Sequence, residues 1–162
     1  MGTRMTSKKA GTGETAMKHA RALVAELYPE VPVLEAQKSV TWIPDGKGGR
    51  RPISRREDLF GVFDILVLHY KVQLIQVTTE QSRGQTVTAR KRKIESEFLV
   101  GTTYRFAARW DVWILSWVAR KCFYGWRWDW NEIRWGERQT ILSPLMKATR
   151  GQLQGPARKP DS

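Results

Sequence analysis

Gly61-Val62-Phe63-Asp64-Ile65-Leu66-Val67-Leu68-His69 and, after Tyr70-Lys71, Val72-Gln73-Leu74-Ile75-Gln76-Val77-Thr78-Thr79 decide how this chain reads. Both stretches are apolar and β-branched, and a two-residue link lets the second turn back beside the first, which predicts a pair of core strands. Asp64 breaks the pattern. A lone carboxylate in such a run is costly to bury unless it is paired or holds a cation. The period of two places Gln76 and Thr78 on one strand face, so a hairpin brings Asp64 beside both. The Asp64 carboxylate, the Gln76 amide oxygen and the Val77 backbone carbonyl are hard oxygen donors of the kind that hold Mg²⁺ or Mn²⁺. Asp58, six residues before Asp64, offers a second carboxylate. The alternative is structural: Asp64 caps a strand irregularity with Gln76 as its polar partner.

Glu14–Tyr28 carries Ala20, Leu23, Val24 and Leu27 at helical spacing and stops at Pro29. Lys38–Pro44 reads as a short extended run, and Asp45-Gly46-Lys47-Gly48-Gly49 as a flexible turn. Downstream, Thr86 or Thr88 caps a helix running to about Leu99, with Ile94 and Phe98 as its apolar pair. Asp111–Ala119 and Gly125–Ile133 alternate like strands, a hairpin joined across Arg120–Tyr124. The expected order is α-β-β-β-α-β-β, an α/β (α+β) domain over residues 14–147 with a central mixed sheet flanked by helices. Residues 1–13 and 148–162 read as disordered basic ends.

Composition narrows the partners. The chain has 162 residues, the usual size of one domain, and 28 Lys and Arg against 16 Asp and Glu give a formal charge of +12. That surplus favours a polyanion, nucleic acid first. Cys122 is the single cysteine and His19 and His69 are the two histidines, too few for a disulfide framework, a zinc finger or a zinc-deaminase site. A reducing compartment follows, with cytoplasmic location as the expectation. The apolar runs are too short to span a bilayer.

Three segments together carry a resemblance: Arg55-Arg56-Glu57-Asp58-Leu59-Phe60-Gly61-Val62-Phe63-Asp64-Ile65, then Leu74-Ile75-Gln76-Val77-Thr78-Thr79, then Ala89-Arg90-Lys91-Arg92-Lys93-Ile94. Over roughly residues 16 to 133 the chain resembles the PD-(D/E)XK nuclease superfamily, and more narrowly a small phage and prophage group within it, for which the host cell cytoplasm is the site of action. The resemblance implies a restriction-endonuclease-like core, Mg²⁺ or Mn²⁺ as cofactor, and phosphodiester hydrolysis by an endonuclease. It assigns Asp64 and Gln76 to the metal. Thr78 falls where the superfamily places a lysine, and a hydroxyl supplies no positive charge to the transition state. Arg90 or Lys93, one turn apart on the second helix, are the candidate substitutes, and Glu14 or Glu26 of the first helix are candidate further carboxylates.

Arg50, Arg51, Arg55 and Arg56 crowd the segment before Asp58, and Arg90, Lys91 and Lys93 crowd the second helix, a phosphate-gripping rim if both flank the site. A helix-turn-helix or other base-reading motif is not evident, so DNA is expected to be selected by structure, as branched or flapped DNA in the manner of a resolvase. RNA is the alternative nucleic acid, a homodimer the alternative to a monomer, and no membrane partner is expected. Eight tryptophans include Trp113 and Trp117 on one strand face and Trp126, Trp128 and Trp130 on another, read first as an aromatic layer covering the sheet and second as stacking platforms for bases. Cys122 in a turn and His69 at a hairpin tip do not read as catalytic. The rivals to a nuclease are a non-catalytic nucleic-acid-binding protein on a degenerate nuclease fold and a basic adaptor for an acidic protein.

Overall fold

The computed structural model describes residues 12–79, 85–100 and 110–147; the remaining residues, including both expected disordered ends apart from 12 and 13, lie outside the described residues. α1 (Thr12–Leu27) begins two residues before the expected start. It buries Ala16, Met17, Ala20, Leu23 and Val24, a single stripe at helical spacing. Tyr28 N–H closes the last turn on Val24 O at 2.9 Å, and Pro29 cannot continue it.

Nine strands follow among the described residues, against the five expected. β1 (Val33–Glu35), β2 (Gln37–Pro44), β3 (Arg50–Glu57), β4 (Ile65–Val67) and β5 (Gln73–Thr79) precede α2 (Gln85–Ile94). β6 (Asp111–Val118), β7 (Cys122–Asp129), β8 (Arg134–Trp135) and β9 (Gln139–Ile141) follow it. Seven strands form one sheet in the order β1-β4-β5-β6-β7-β8, with β9 also on β7. β5 and β6 run parallel, and α2 lies in the crossover between them. The other sheet pairs are antiparallel. The chain is therefore α+β with a mixed central sheet and helices. β2 and β3 stand apart as a two-stranded ribbon.

The differences from expectation have local causes. β4 covers only Ile65–Val67 of the expected Gly61–His69 because Phe60 (φ 52°) and Gly61 (φ 75°) are both left-handed. They close a loop in which Gly61 N–H donates to Asp58 O at 3.1 Å and Phe63 N–H to Leu59 O at 2.9 Å. The second hairpin turns at residues 119–121, with Arg120 at φ 61°, so β7 starts at Cys122 instead of Gly125 and Cys122 is a buried strand residue, not a turn residue. α2 changes to a π-helical turn over Glu95–Leu99, which ends with Val100 N–H on Glu95 O at 2.9 Å.

The sheet has two different faces. Ile65, Val67, Ile75, Val77, Leu115, Trp117 and Phe123 pack with α1. Leu66, Leu74, Ile114 and Trp128 pack with Ile94 and Phe98 from the second helical segment. Trp113 and Trp117 join the first cluster, and Trp110, Trp126, Trp128, Trp130 and Trp135 the second, so seven of the eight tryptophans cover the sheet.

Candidate functional site

Asp64 stands opposite Gln76, in continuation of the Ile65↔Ile75 register, and both are only 3% exposed. β4 leaves the sheet at this point, so β5 needs new partners for its next backbone groups. Asp64 supplies one: Val77 N–H donates to its Oδ2 at 2.7 Å. Gln76 supplies the other, its amide nitrogen donating to Val77 O at 3.0 Å and to Asp64 Oδ2 at 2.6 Å. The amide nitrogen, with its partial positive charge, thus bridges a carboxylate oxygen and a carbonyl oxygen. Gln76 Oε1 is left buried with no hydrogen-bond partner. Asp64, Gln76 and Val77 thus form a closed polar cluster, the arrangement expected if Asp64 caps the strand irregularity with Gln76 as its partner, and Gln76 Oε1 is the hard oxygen in it that stays unsatisfied. Clusters of three or more His, Cys, Asp or Glu side chains with metal-binding spacing do not occur among the described residues.

Thr78 shares this face, buried, two residues further on. Its register partner on β6 is Ser116, which is 0% exposed and whose Oγ also has no hydrogen-bond partner. Ser116 is a site residue that sequence reading missed. The signal was present, a hydroxyl in phase with Ile114 in an apolar strand. A cavity of about 280 Å³ opens at this end of β5, lined by Thr78, Thr79, Thr86 and Arg90 with Gly13 and Met17 of α1.

The second helix separates its cations. Arg90 reaches the Thr78 cavity and also lines a neighbouring cleft with Lys93. Lys93 Nζ lies 4.0 Å from Asp58 Oδ2, so these two candidates pair with each other. Lys91 packs its ammonium over Trp126, 5.0 Å from the ring centroid, and burial holds its pKa below the usual lysine value. Of the two candidate glutamates, Glu26 pairs with Lys147 at 3.6 Å. Glu14 lines a separate cleft with Gly13, Met17, Arg21, Ala36 and Lys38. Gly13 belongs to both clefts, so the ribbon's base at Lys38 adjoins the Thr78 cavity. Arg50 and Arg51 are exposed on β3, and Arg55 and Arg56 occupy the same strand. The expected cations thus lie on two separate elements, the ribbon and α2.

A second buried carboxylate is held by charged partners. Asp111 opens β6 at the opposite strand end from Thr78 and accepts from Gln73 Nε2 at 2.8 Å and Arg127 Nε at 3.0 Å, with Arg127 Nη2 and Lys71 Nζ (3.3 Å) also in contact. Burial raises its pKa, but the Arg127 and Gln73 hydrogen bonds and the Arg127 charge outweigh that and hold it below the usual carboxylate value. Asp111 borders a recess of about 720 Å³, together with Tyr70, Trp128 and Trp130.

No protein-family model matches this chain, and neither a curated protein nor a solved structure does. None of the described helices is long and apolar enough to cross a membrane.

Proposed function

We propose that this chain is a metal-dependent nuclease-fold protein that acts on DNA by phosphodiester hydrolysis. The observation that carries the reading is the unsatisfied Gln76 Oε1 beside a buried Asp64. Further support comes from the order of elements in the main sheet, a helix, three antiparallel strands, a second helix and further strands, as the resemblance to the PD-(D/E)XK superfamily implies, although the first of the three is β1 and not the expected Lys38–Pro44, which belongs to the ribbon.

Asp64, Gln76 and the Val77 carbonyl would hold the ion once the Gln76 amide turns to present Oε1 in place of the Nε2 that lies between Asp64 Oδ2 and Val77 O. A bound Mg²⁺ or Mn²⁺ supplies Lewis acidity at a phosphoryl oxygen and a water of lowered pKa. The chain's own residues have three further tasks. Arg90, at the Thr78 cavity, takes the place of the lysine absent at Thr78 and offers the positive charge toward the scissile phosphate. Thr78 and Thr86 line the space the phosphate enters. Lys93 orients Asp58 at the rim. Branched DNA remains the proposed substrate class, held by phosphate contacts outside the cavity.

The test compares wild type with Asp64→Asn, which keeps an oxygen for Val77 N–H and so keeps the fold. Wild type is expected to bind Mn²⁺ calorimetrically and to cut DNA in Mg²⁺, and the variant to lose both. Unchanged Mn²⁺ affinity in the variant removes the site. One observation favours a second reading, non-catalytic nucleic-acid binding on the same fold: Thr78 puts a hydroxyl where hydrolysis needs a cation. DNA binding by wild type without cleavage in either metal selects that reading.

A further inference from the structure

The β2–β3 ribbon is held to no strand of the main sheet, and its two faces differ. Register pairs Lys38↔Arg56, Val40↔Ser54, Trp42↔Pro52 and Pro44↔Arg50 on one face. Three of those eight positions are basic and none is acidic. Lys38, Val40, Trp42, Pro44, Arg50, Pro52 and Ser54 are all exposed. Trp42 is 58% and Val40 59% exposed, and Trp42 is the one tryptophan that covers nothing on the sheet. The opposite face half-buries Ser39, Ile43 and Ile53 and has Arg51, Arg55 and Glu57 at its register positions, so it is the less open of the two and carries an acidic residue among its basic ones.

The tip is built rather than loose. Asp45 Oδ1 accepts from Lys47 N–H at 2.7 Å and Gly49 N–H at 3.0 Å, while Gly46 and Gly48 take left-handed φ of 76° and 84°. Pro52 has no N–H, so it fits a ladder only with its nitrogen turned outward, where it also blocks a further strand from pairing on that edge. This argues against a second copy adding to β3.

We propose that this ribbon face lies in the major groove of duplex DNA, with Lys38 and Arg50 on phosphates toward its two ends and Trp42 against base edges between them. The proposal rests on DNA being the partner and deepens that reading. A two-stranded ribbon matches a groove about 12 Å wide, and eight residues per strand reach roughly 25 Å along it. The face has the composition of such a reader, cations outside and an apolar centre, and its charge is complementary to phosphate. Its base at Lys38 lines a cleft that shares Gly13 and Met17 with the Thr78 cavity. The ribbon would thus grip a duplex arm of the substrate, with Trp42 as its contact to the bases.

The experiment is equilibrium binding of the full chain to a 20-bp linear duplex in EDTA, so that cleavage plays no part, across a salt series. Lys38→Ala/Arg50→Ala is expected to flatten the slope of log affinity against log salt by roughly 2 units, at about 0.9 per phosphate contact. Trp42→Ala is expected to weaken binding about tenfold with the slope unchanged, the size of one lost base contact. The duplex should also shift wild-type tryptophan emission and leave that of Trp42→Phe unmoved. Far-UV circular dichroism identical to wild type shows that the variants are folded. If wild type binds with a steep salt slope and the variants match it, the ribbon proposal is overturned while the DNA reading stands. If wild type does not bind the duplex at low salt, or prefers poly-glutamate to it, both are overturned.

Discussion

Trp117 and Trp42 show the two regimes of this chain. Trp117 is buried on β6, stacked 3.9 Å from the His19 ring and 4.9 Å from Phe123, inside the cluster that joins α1 to the sheet. Trp42 stands 58% exposed on a ribbon that shares no strand with that sheet. In the body, large apolar residues fold the chain. On the ribbon they contribute little to folding, and a two-stranded hairpin with no apolar core beneath it is marginal alone. What the ribbon carries instead is charge and a shaped tip. The comparison separates residues kept for stability from residues available for binding.

The largest expected effect tests that separation directly. Trp117→Ala should lower unfolding free energy by about 3–5 kcal/mol, whereas Trp42→Ala should stay within about 0.5 kcal/mol. Urea unfolding at constant m-value reads both. Comparable losses in the two variants would mean that the ribbon packs on the body and the contrast is wrong.

A smaller effect sharpens the body side. Asp111→Asn removes the charge shared by Arg127 and Lys71 and should cost roughly 2 kcal/mol, less than a fully buried pair, because both cations reach solvent. Asp111 has a folded pKa below its unfolded one, so it contributes stability that is present above the ordinary carboxylate pKa of about 3.9 and lost as pH falls through the depressed folded value. Acid unfolding of the variant should therefore be less steep below about pH 4 than that of wild type. Parallel acid limbs in the two proteins would assign the acid sensitivity elsewhere.

The same contrast explains what the sequence made legible. The pairing of Asp64 with Gln76 could be read because both sit in apolar strands, where a period of two and the cost of burial fix a polar residue's neighbours. β3 could not be read that way. Arg50-Arg51-Pro52-Ile53-Ser54-Arg55-Arg56-Glu57 has no apolar face to betray a strand, because it faces solvent and is held by its register with β2 and the glycine turn. β1 is three residues long and gains its place from β4 and from the Arg21–Glu35 ion pair with α1. The choice between Arg90 and Lys93 depended on how α2 is rotated against β5, which helical spacing alone leaves open. Ser116 was visible as a polar residue but acquires meaning only through the parallel register that sets it beside Thr78.

The smallest expected effect lies at His19 and separates the two regions by pH. His19 Nδ1 meets the buried Ser143 Oγ at 2.6 Å, and the ring stacks on Trp117 with an interplanar angle of 19°, tying α1 to the segment after β9. Burial, and then the neighbouring Lys18 charge, hold its pKa below 6.5. The folded state thus binds the His19 proton less readily than the unfolded chain does. Its contribution is complete above pH 6.5 and declines as pH falls from there through the lower folded value. The ribbon, residues 37–57, contains no histidine. Wild type should therefore show a thermal midpoint that decreases from pH 7 toward pH 5.5, and His19→Asn a flatter one from a lower start. The Trp42 emission maximum of the folded protein should not move over that range. A variant with the same pH slope as wild type would show that Ser143 and Trp117 hold the imidazole equally well in both protonation states.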